Sequence, residues 1–453
     1  MASMPAIPVG LIDRTMKPLP TVRNKRQAWL GLAVFAVAFL AARPFVHDMT
    51  AYSLFMLTGL ALGYILTRSR FGFAGGVKRI YVTGEGSLTK ALVVAFALAS
   101  IFTAGIHWAA AQGGAVVRAV ATEGQAVIPG SGSVIPIGVG LVVGGFLFGI
   151  GMIMAGGCAS GTLADLGEGA TRAAWSLPFF VLGSLPGLWL QNEINTSVLG
   201  GLNFSVYLPD YVGYVGAVAG TLAGLAGVYA ITRKYEQFRK AEGYYVKEEW
   251  TDEQKAQPEQ GAGEKFRFFS YRTYHTFFVT RWTFTTGAVL LAFMFLFIIT
   301  TTKNSWGVTG PFASWGLAFL NVFGIELTGP AFDAANATVA AGLLNDGAGV
   351  RDLGLILGSA VALLLAGRFA FDTNFRKIDA MTYVVGGLFM GVGARMAGGC
   401  NIGALFSGIG NLSLSGWVFG VMLWAGGLAA LKYFANKVNL VGPDRHTLAK
   451  TSV

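Results

Sequence analysis

The chain holds two cysteines, Cys158 and Cys400, and each closes the same pentapeptide, Met-Ala-Gly-Gly-Cys, at 154–158 and 396–400. A thiol can serve as a nucleophile, a metal ligand or a soft hydrogen-bond donor. With the two 242 positions apart and no CxxC or Cys/His spacing, the pair supplies too few ligands for zinc or an iron–sulfur cluster, and no cofactor is expected. Nucleophilic catalysis needs a base, yet His47, His107, His275 and His446 fall in unrelated segments. A lone cysteine commonly behaves as a small buried hydrophobe. These two are the whole complement of the chain and stand at matching places, which favours a role as donors.

The neighbours of the thiols fit that role. Chain breaks at Gly156-Gly157 and Gly398-Gly399 would free backbone N–H groups, and a helix starting after either cysteine would aim its positive end at an anion. Ser160 and Asn401 add neutral polar groups beside the thiols. Arg395 lies five residues before Cys400; at membrane depth it would line a path or pair with a carboxylate, and near the surface it would snorkel out. Asp165, Glu168 and Arg172 follow the first motif and suit pairing at a mouth or loop. His107 faces the interior with no relay partner nearby in sequence. A disulfide between the cysteines ranks below two free thiols.

Apolar residues make up 54% of the 453 positions and charged residues 12%, so a soluble domain would lack the polar surface to cover itself. A bilayer core needs roughly 20 apolar residues per helix. Such stretches recur at about 29–46, 51–67, 91–111, 135–155, 173–193, 211–232, 282–300, 352–367, 381–397 and 416–435. The expected class is all-α: a polytopic integral membrane protein of about ten transmembrane helices. A net charge of +10 would also suit nucleic acid, but the basic residues sit in the gaps between apolar spans, so no nucleic acid is expected. The first apolar run follows a basic leader, as a secretory signal would, but its length and the spans behind it favour an uncleaved helix.

Lys and Arg crowd the leader (1–28), the segment 68–90 and the polar stretch 233–281, whereas 112–133, 195–210 and 301–350 are nearly free of them. By the positive-inside rule the basic segments and both termini are cytoplasmic, which an even number of spans allows. The expected organisation is a first membrane half at 29–232, a solvated linker at 233–281, a second half at 282–436 and a tail at 437–453. Residues 145–163 and 387–405 align without gaps at ten identities in nineteen positions. The charge pattern gives these motifs opposite orientations, as two pseudo-symmetric, inverted halves with re-entrant Gly-Gly-Cys loops would. Both thiols are then expected in one central cavity, each on a loop between a full span and a partial helix. The competing reading makes Gly145/Gly149 and Gly387/Gly391 helix-packing seams, which would suffice for a purely structural protein.

Ala-Gly-Gly-Cys-Ala-Ser-Gly-Thr-Leu at 155–163, Gly-Ala-Arg-Met-Ala-Gly-Gly-Cys-Asn-Ile-Gly-Ala-Leu-Phe-Ser-Gly-Ile at 393–409 and Ser413-Leu-Ser-Gly-Trp417 resemble the YeeE/YedE sulfur transport family. The resemblance implies an inner-membrane permease in the lipid bilayer that passes a small sulfur-containing anion such as thiosulfate by S–H hydrogen bonding. It makes Cys158, Cys400, Gly156, Gly157, Gly398, Gly399, Asn401, Ser160 and Arg395 the candidate substrate-binding set. Gly72 stands where many members carry a cysteine, so another sulfur or selenium compound is an alternative substrate, and a membrane-embedded sulfurtransferase an alternative function. A dianion entering a cell that is negative inside climbs roughly 4.6 kcal/mol per 100 mV, from about 2.3 per charge. The sequence offers no continuous set of intramembrane carboxylates to offset this. The resemblance implies a soluble cytosolic sulfur carrier of the TusA type that consumes the anion, docking on the basic segments 68–90 and 233–281.

Overall fold

A computed structural model describes residues 25–247, 271–372 and 377–434. Sixteen helices occur among them: α1 Lys25–Leu40, α2 Met49–Ser69, α3 Phe73–Thr83, α4 Ser87–Gln112, α5 Val139–Ala155, α6 Ala159–Gly167, α7 Thr171–Thr196, α8 Leu208–Ala241, α9 Tyr271–Tyr274, α10 Phe284–Thr302, α11 Phe312–Val322, α12 Asp333–Ala341, α13 Gly347–Leu365, α14 Lys377–Met396, α15 Ser407–Gly410 and α16 Leu414–Phe434. Ten candidate spans are long and apolar enough to cross a membrane, and each of the ten expected stretches overlaps one of them. The chain is an all-helical, multi-pass membrane protein. Most of the leader (1–24), the tail (435–453) and the middle of the linker (248–270) lie outside the described residues.

Two segments hold helix beyond the ten expected stretches. Past 232, α8 runs on to Ala241 on good helix formers, into the stretch expected as linker. Its last turns are held in place: Arg239 is buried and donates to the carbonyls of Tyr81, Val82 and Tyr244, and Glu236 pairs with Lys90 at 2.6 Å. The stretch 301–350 holds two short helices, the apolar α11 and the more polar α12.

Glycine sets how closely the spans approach. A Cβ placed on Gly151 would lie 2.6 Å from the Gly386 carbonyl oxygen, and one on Gly144 would lie 2.6 Å from that of Gly393. Residue numbers rise on α5 as they fall on α14, so the two helices run antiparallel. The next face of α14 meets α7, with Gly387 against the Ser176 carbonyl (2.3 Å) and Gly391 against that of Phe180 (2.4 Å). The other face of α5 meets α16, with Gly149 against the Leu423 carbonyl at 2.3 Å. In lipid, helices associate by such close contact, because apolar burial alone does not favour helix over lipid tail. The seam reading of these glycines therefore holds, and it does not compete with a role for the Gly-Gly-Cys steps, which begin beyond the seams. A second seam joins α2 to α13, which run parallel: Gly59 lies against the Arg351 carbonyl (2.2 Å) and Gly63 against that of Leu355 (2.1 Å).

Candidate functional site

Each Gly-Gly-Cys step joins the end of a long helix to the start of a short one. After α5, Gly156 takes the left-handed conformation (φ 77°), and after α14 its counterpart Gly398 does the same (φ 72°). Only glycine enters that region without a Cβ penalty, so the chain turns sharply at both places. Cys158 and Cys400 follow in extended conformation and are the residues from which the next helices start, α6 and a π-helical turn at Asn401–Phe406. The N–H groups of Ile402 and Gly403 face the Cys400 sulfur without forming a capping hydrogen bond.

Arg172 fixes the first corner. Its guanidinium donates to the Gly156 carbonyl at 2.7 Å and to Asp165 at 2.6 Å, while Arg70 pairs with Glu168 at 2.5 Å. These pairs stand around a cavity of ≈ 180 Å³ whose wall includes Gly156, Gly157 and Cys158. Five basic residues line it, Arg70, Lys78, Arg79, Arg172 and Arg281, against two acidic ones, Asp165 and Glu168, so its field favours an anion. Cys158 Sγ lies 3.5 Å from Ser160 Oγ, and a Cβ on Gly161 would sit 3.5 Å from the same sulfur.

Cys400 lies deeper. Both thiols are free and belong to one buried cluster, Cys158 1% and Cys400 0% exposed, but Cys158 lines this cavity and Cys400 does not. The reason is aromatic packing: Phe406, in the turn that starts at Cys400, sits among Phe73, Phe96, Phe295 and Trp306, with ring centres 4.9 to 6.1 Å from its own. The loop 303–311 covers the same turn. Gly307 Cα comes to 3.8 Å of the place a Gly403 Cβ would take, and Ser407 Oγ donates to the Trp306 carbonyl at 2.6 Å.

The remaining candidates divide between the two levels. Gly156, Gly157 and Ser160 stay with Cys158, and Gly399 and Asn401 stay with Cys400. Asn401 is fully buried, its amide reaching Met152 Sδ at 3.6 Å and its Oδ1 left without a partner. Gly398 is exposed at the turn. Arg395 pairs with no carboxylate among the described residues; it donates to the Thr309 carbonyl at 3.1 Å and so ties down the covering loop. His107 is a clamp, bonded to Tyr207 (2.8 Å) and to the Pro129 carbonyl (2.9 Å). The sequence reading passed over Asp352, which is wholly buried in α13 with neither carboxylate oxygen hydrogen-bonded. Starting that span at 352 put the residue at its edge, whereas Asp346, accepting from the Ala348 and Gly349 N–H groups, is the N-cap that starts the helix more than a turn earlier.

Comparison with known proteins agrees with this architecture. A thiosulfate transporter, TsuA, of Spirochaeta thermophila is 28% identical over 299 residues, covering 64% of this chain and 75% of the relative. The Escherichia coli thiosulfate transporter TsuA is 24% identical over 370 residues, covering 80% and 89%. The probable transporter YedE of Escherichia coli is 28% identical over 147 residues, covering 32% and 36%. Residues 68–429, including both Gly-Gly-Cys steps, match the sulphur transport family, and the chain belongs to it.

Proposed function

We propose that this protein is a permease of the cytoplasmic membrane for thiosulfate or a closely similar sulfur anion, and that it is not an enzyme. The observation that carries the reading is Cys158 itself: a free thiol at the N-terminus of α6, on the wall of a cavity with a basic excess. An anion with a soft sulfur wants several donors and no tightly fixed counter-charge, because a permease must release what it binds. The Cys158 thiol, the Ser160 hydroxyl and the first N–H groups of α6 provide this, with Arg70 and Arg172 already engaged by carboxylates and so serving as attractors at a distance. Cys400, Asn401 and the N–H groups beside them form the inner station.

The two halves are related by a two-fold axis in the membrane plane. This inference is supported by the way contacts exchange: the Gly144–Gly393 approach maps onto Gly386–Gly151 when 242 is added to α5 and subtracted from α14. Likewise α5 packs on α16 as α14 packs on α7, and α2 on α13 as α10 on α4. An axis of this kind lets one station open while its counterpart is closed. The basic cavity would then be the cytoplasmic vestibule, with both termini on its side, and a soluble sulfur carrier of the TusA type would collect the anion there.

The test is uptake of labelled thiosulfate, sulfate and selenium oxyanions into vesicles holding the purified protein. Saturable thiosulfate flux with no persulfide on either cysteine is the expected result. A stable persulfide without flux would support the sulfurtransferase instead, and flux of the selenium compound alone would change the substrate.

A further inference from the structure

Asp352 lies on α13, 0% exposed, and neither oxygen of its carboxylate has a hydrogen-bond partner among the described residues. The adjacent arginine does not neutralise it by contact. Arg351 Nε donates to Thr58 Oγ1 at 3.3 Å and its guanidinium lies 4.9 Å from the Phe55 ring centre, both on α2. Residues three and four apart share a helix face, so Asp352 stands on one face with Gly349 and Ile356. Gly349 abuts Trp315 Nε1 and Pro311, at the end of the loop that covers Cys400, and the Ile356 carbonyl abuts Gly167 of α6, the helix that begins at Cys158. Asp352 thus faces the space between the two thiol stations.

The other charges around α13 are few. Arg351 is its neighbour on α13, and Asp346 is the N-cap of the same helix. Across α6, Asp165 is engaged by Arg172. Arg68 of α2 donates to the Phe278 and Val279 carbonyls, near the far end of α13, where Tyr274 meets the Leu365 carbonyl and α1 packs at Leu364. Arg26 of α1 and His275 belong to that same distant end. An ionised carboxylate in such a place, with no donor, carries a large desolvation cost that a bound proton removes.

We propose that Asp352 is a proton-binding site coupled to the anion, so that the protein carries thiosulfate and a proton together. This rests on the permease reading above. An anion at Cys400 and an ionised Asp352 repel strongly where the dielectric is low. A protonated Asp352 removes the repulsion and offers an O–H donor in addition. Proton and anion therefore favour one another's binding, and by linkage the effect is reciprocal. On release toward the cytoplasmic cavity the Asp352 O–H bond breaks, the proton passes to water, and no bond in the anion changes. A dianion accompanied by one proton moves a single net negative charge, which halves the electrical opposition to uptake.

The experiment uses purified full-length protein in vesicles with a trapped pH indicator. Labelled-thiosulfate counterflow is measured first, with no gradient: its absence would sink the permease reading and this proposal together. With counterflow present, an inward proton gradient at zero potential is expected to raise internal thiosulfate several-fold above the external level, and thiosulfate addition is expected to acidify the interior. Flux with neither effect would overturn the proton site while leaving the permease intact. In Asp352→Asn, the counterflow rate is expected to lose its pH dependence and the gradient to drive no accumulation, whereas Asp352→Glu should restore proton movement. Gradient-driven accumulation by Asp352→Asn would overturn the assignment to this residue; the wild-type measurements decide the coupling even if that variant does not fold.

Discussion

At the scale of the residue, the two cysteines differ in a way their identical motifs do not announce. Cys158 lines a basic cavity beside Ser160, whereas Cys400 is sealed beneath Phe406 and the loop 303–311. A serine in either place keeps the size and the donor but exchanges a soft, weakly hydrated sulfur for a hard oxygen that holds an oxyanion differently. Cys158→Ser and Cys400→Ser are each expected to lower thiosulfate uptake at least tenfold, with membrane abundance within a factor of two of the parent, as read by vesicle flux and by immunoblot. Equal flux in the double variant would take the thiols out of the mechanism. Both cysteines and their glycines could be read in the sequence because the motif occurs twice and glycine marks a turn wherever it falls. Asp352 could not be read so easily: its importance lies in having no partner, and a missing partner is a fact of three-dimensional packing.

At the scale of the element, ten spans, the repeat and the breaks were all legible, since a bilayer imposes a length and glycine a boundary. What escaped was that the glycines of one helix serve two faces. Gly386 and Gly393 of α14 serve α5, while Gly387 and Gly391 serve α7, so one helix is wedged between two close neighbours. Sequence spacing gives the pattern Gly-x-x-x-Gly but not the partner, because several helices present small residues at the same interval. The short α11 and α12 escaped for a different reason: each is too short to span, and the segment's lack of Lys and Arg marks only its side of the membrane. A methyl group on Gly151 or Gly393 would meet a backbone carbonyl oxygen at 2.6 Å, and backbone cannot yield as a side-chain tip can. Gly151→Ala and Gly393→Ala are each expected to destabilise by about 1–3 kcal/mol, the usual range for overpacking. Unfolding in detergent should show it as a lowered midpoint. Gly72→Ala provides the contrast, since no atom lies within 4 Å of the added methyl and the midpoint should not move. A fall equal to that of the seam variants would show that the close approach is not what makes those glycines necessary.

At the scale of the whole molecule, orientation decides what the basic cavity does. If it opens to the cytoplasm, its field helps draw the anion out of the inner station, and the covered Cys400 side awaits the external substrate; if it opens outward, it is a collecting funnel. The distribution of charge favours the first arrangement. Arg70, Lys78, Arg79 and Arg281 stand at the cavity, in segments that the positive-inside rule assigns to the cytoplasm, while Val198 to Leu202, joining α7 to α8 where that helix begins, carry no charge at all. The two ends also offer convenient reporters. Val198 is 90% exposed, and Phe371, whose backbone lies against Gly169 just beyond α6, is 70% exposed. Both native thiols are buried, so a membrane-impermeant maleimide reports chiefly on a cysteine placed at either position. In intact cells Val198→Cys is expected to be labelled and Phe371→Cys is not, with Phe371→Cys reacting only once the membrane is permeabilised. The opposite pattern would turn the protein over in the bilayer. The basic cavity would then face outward, and a soluble carrier could no longer collect the anion there.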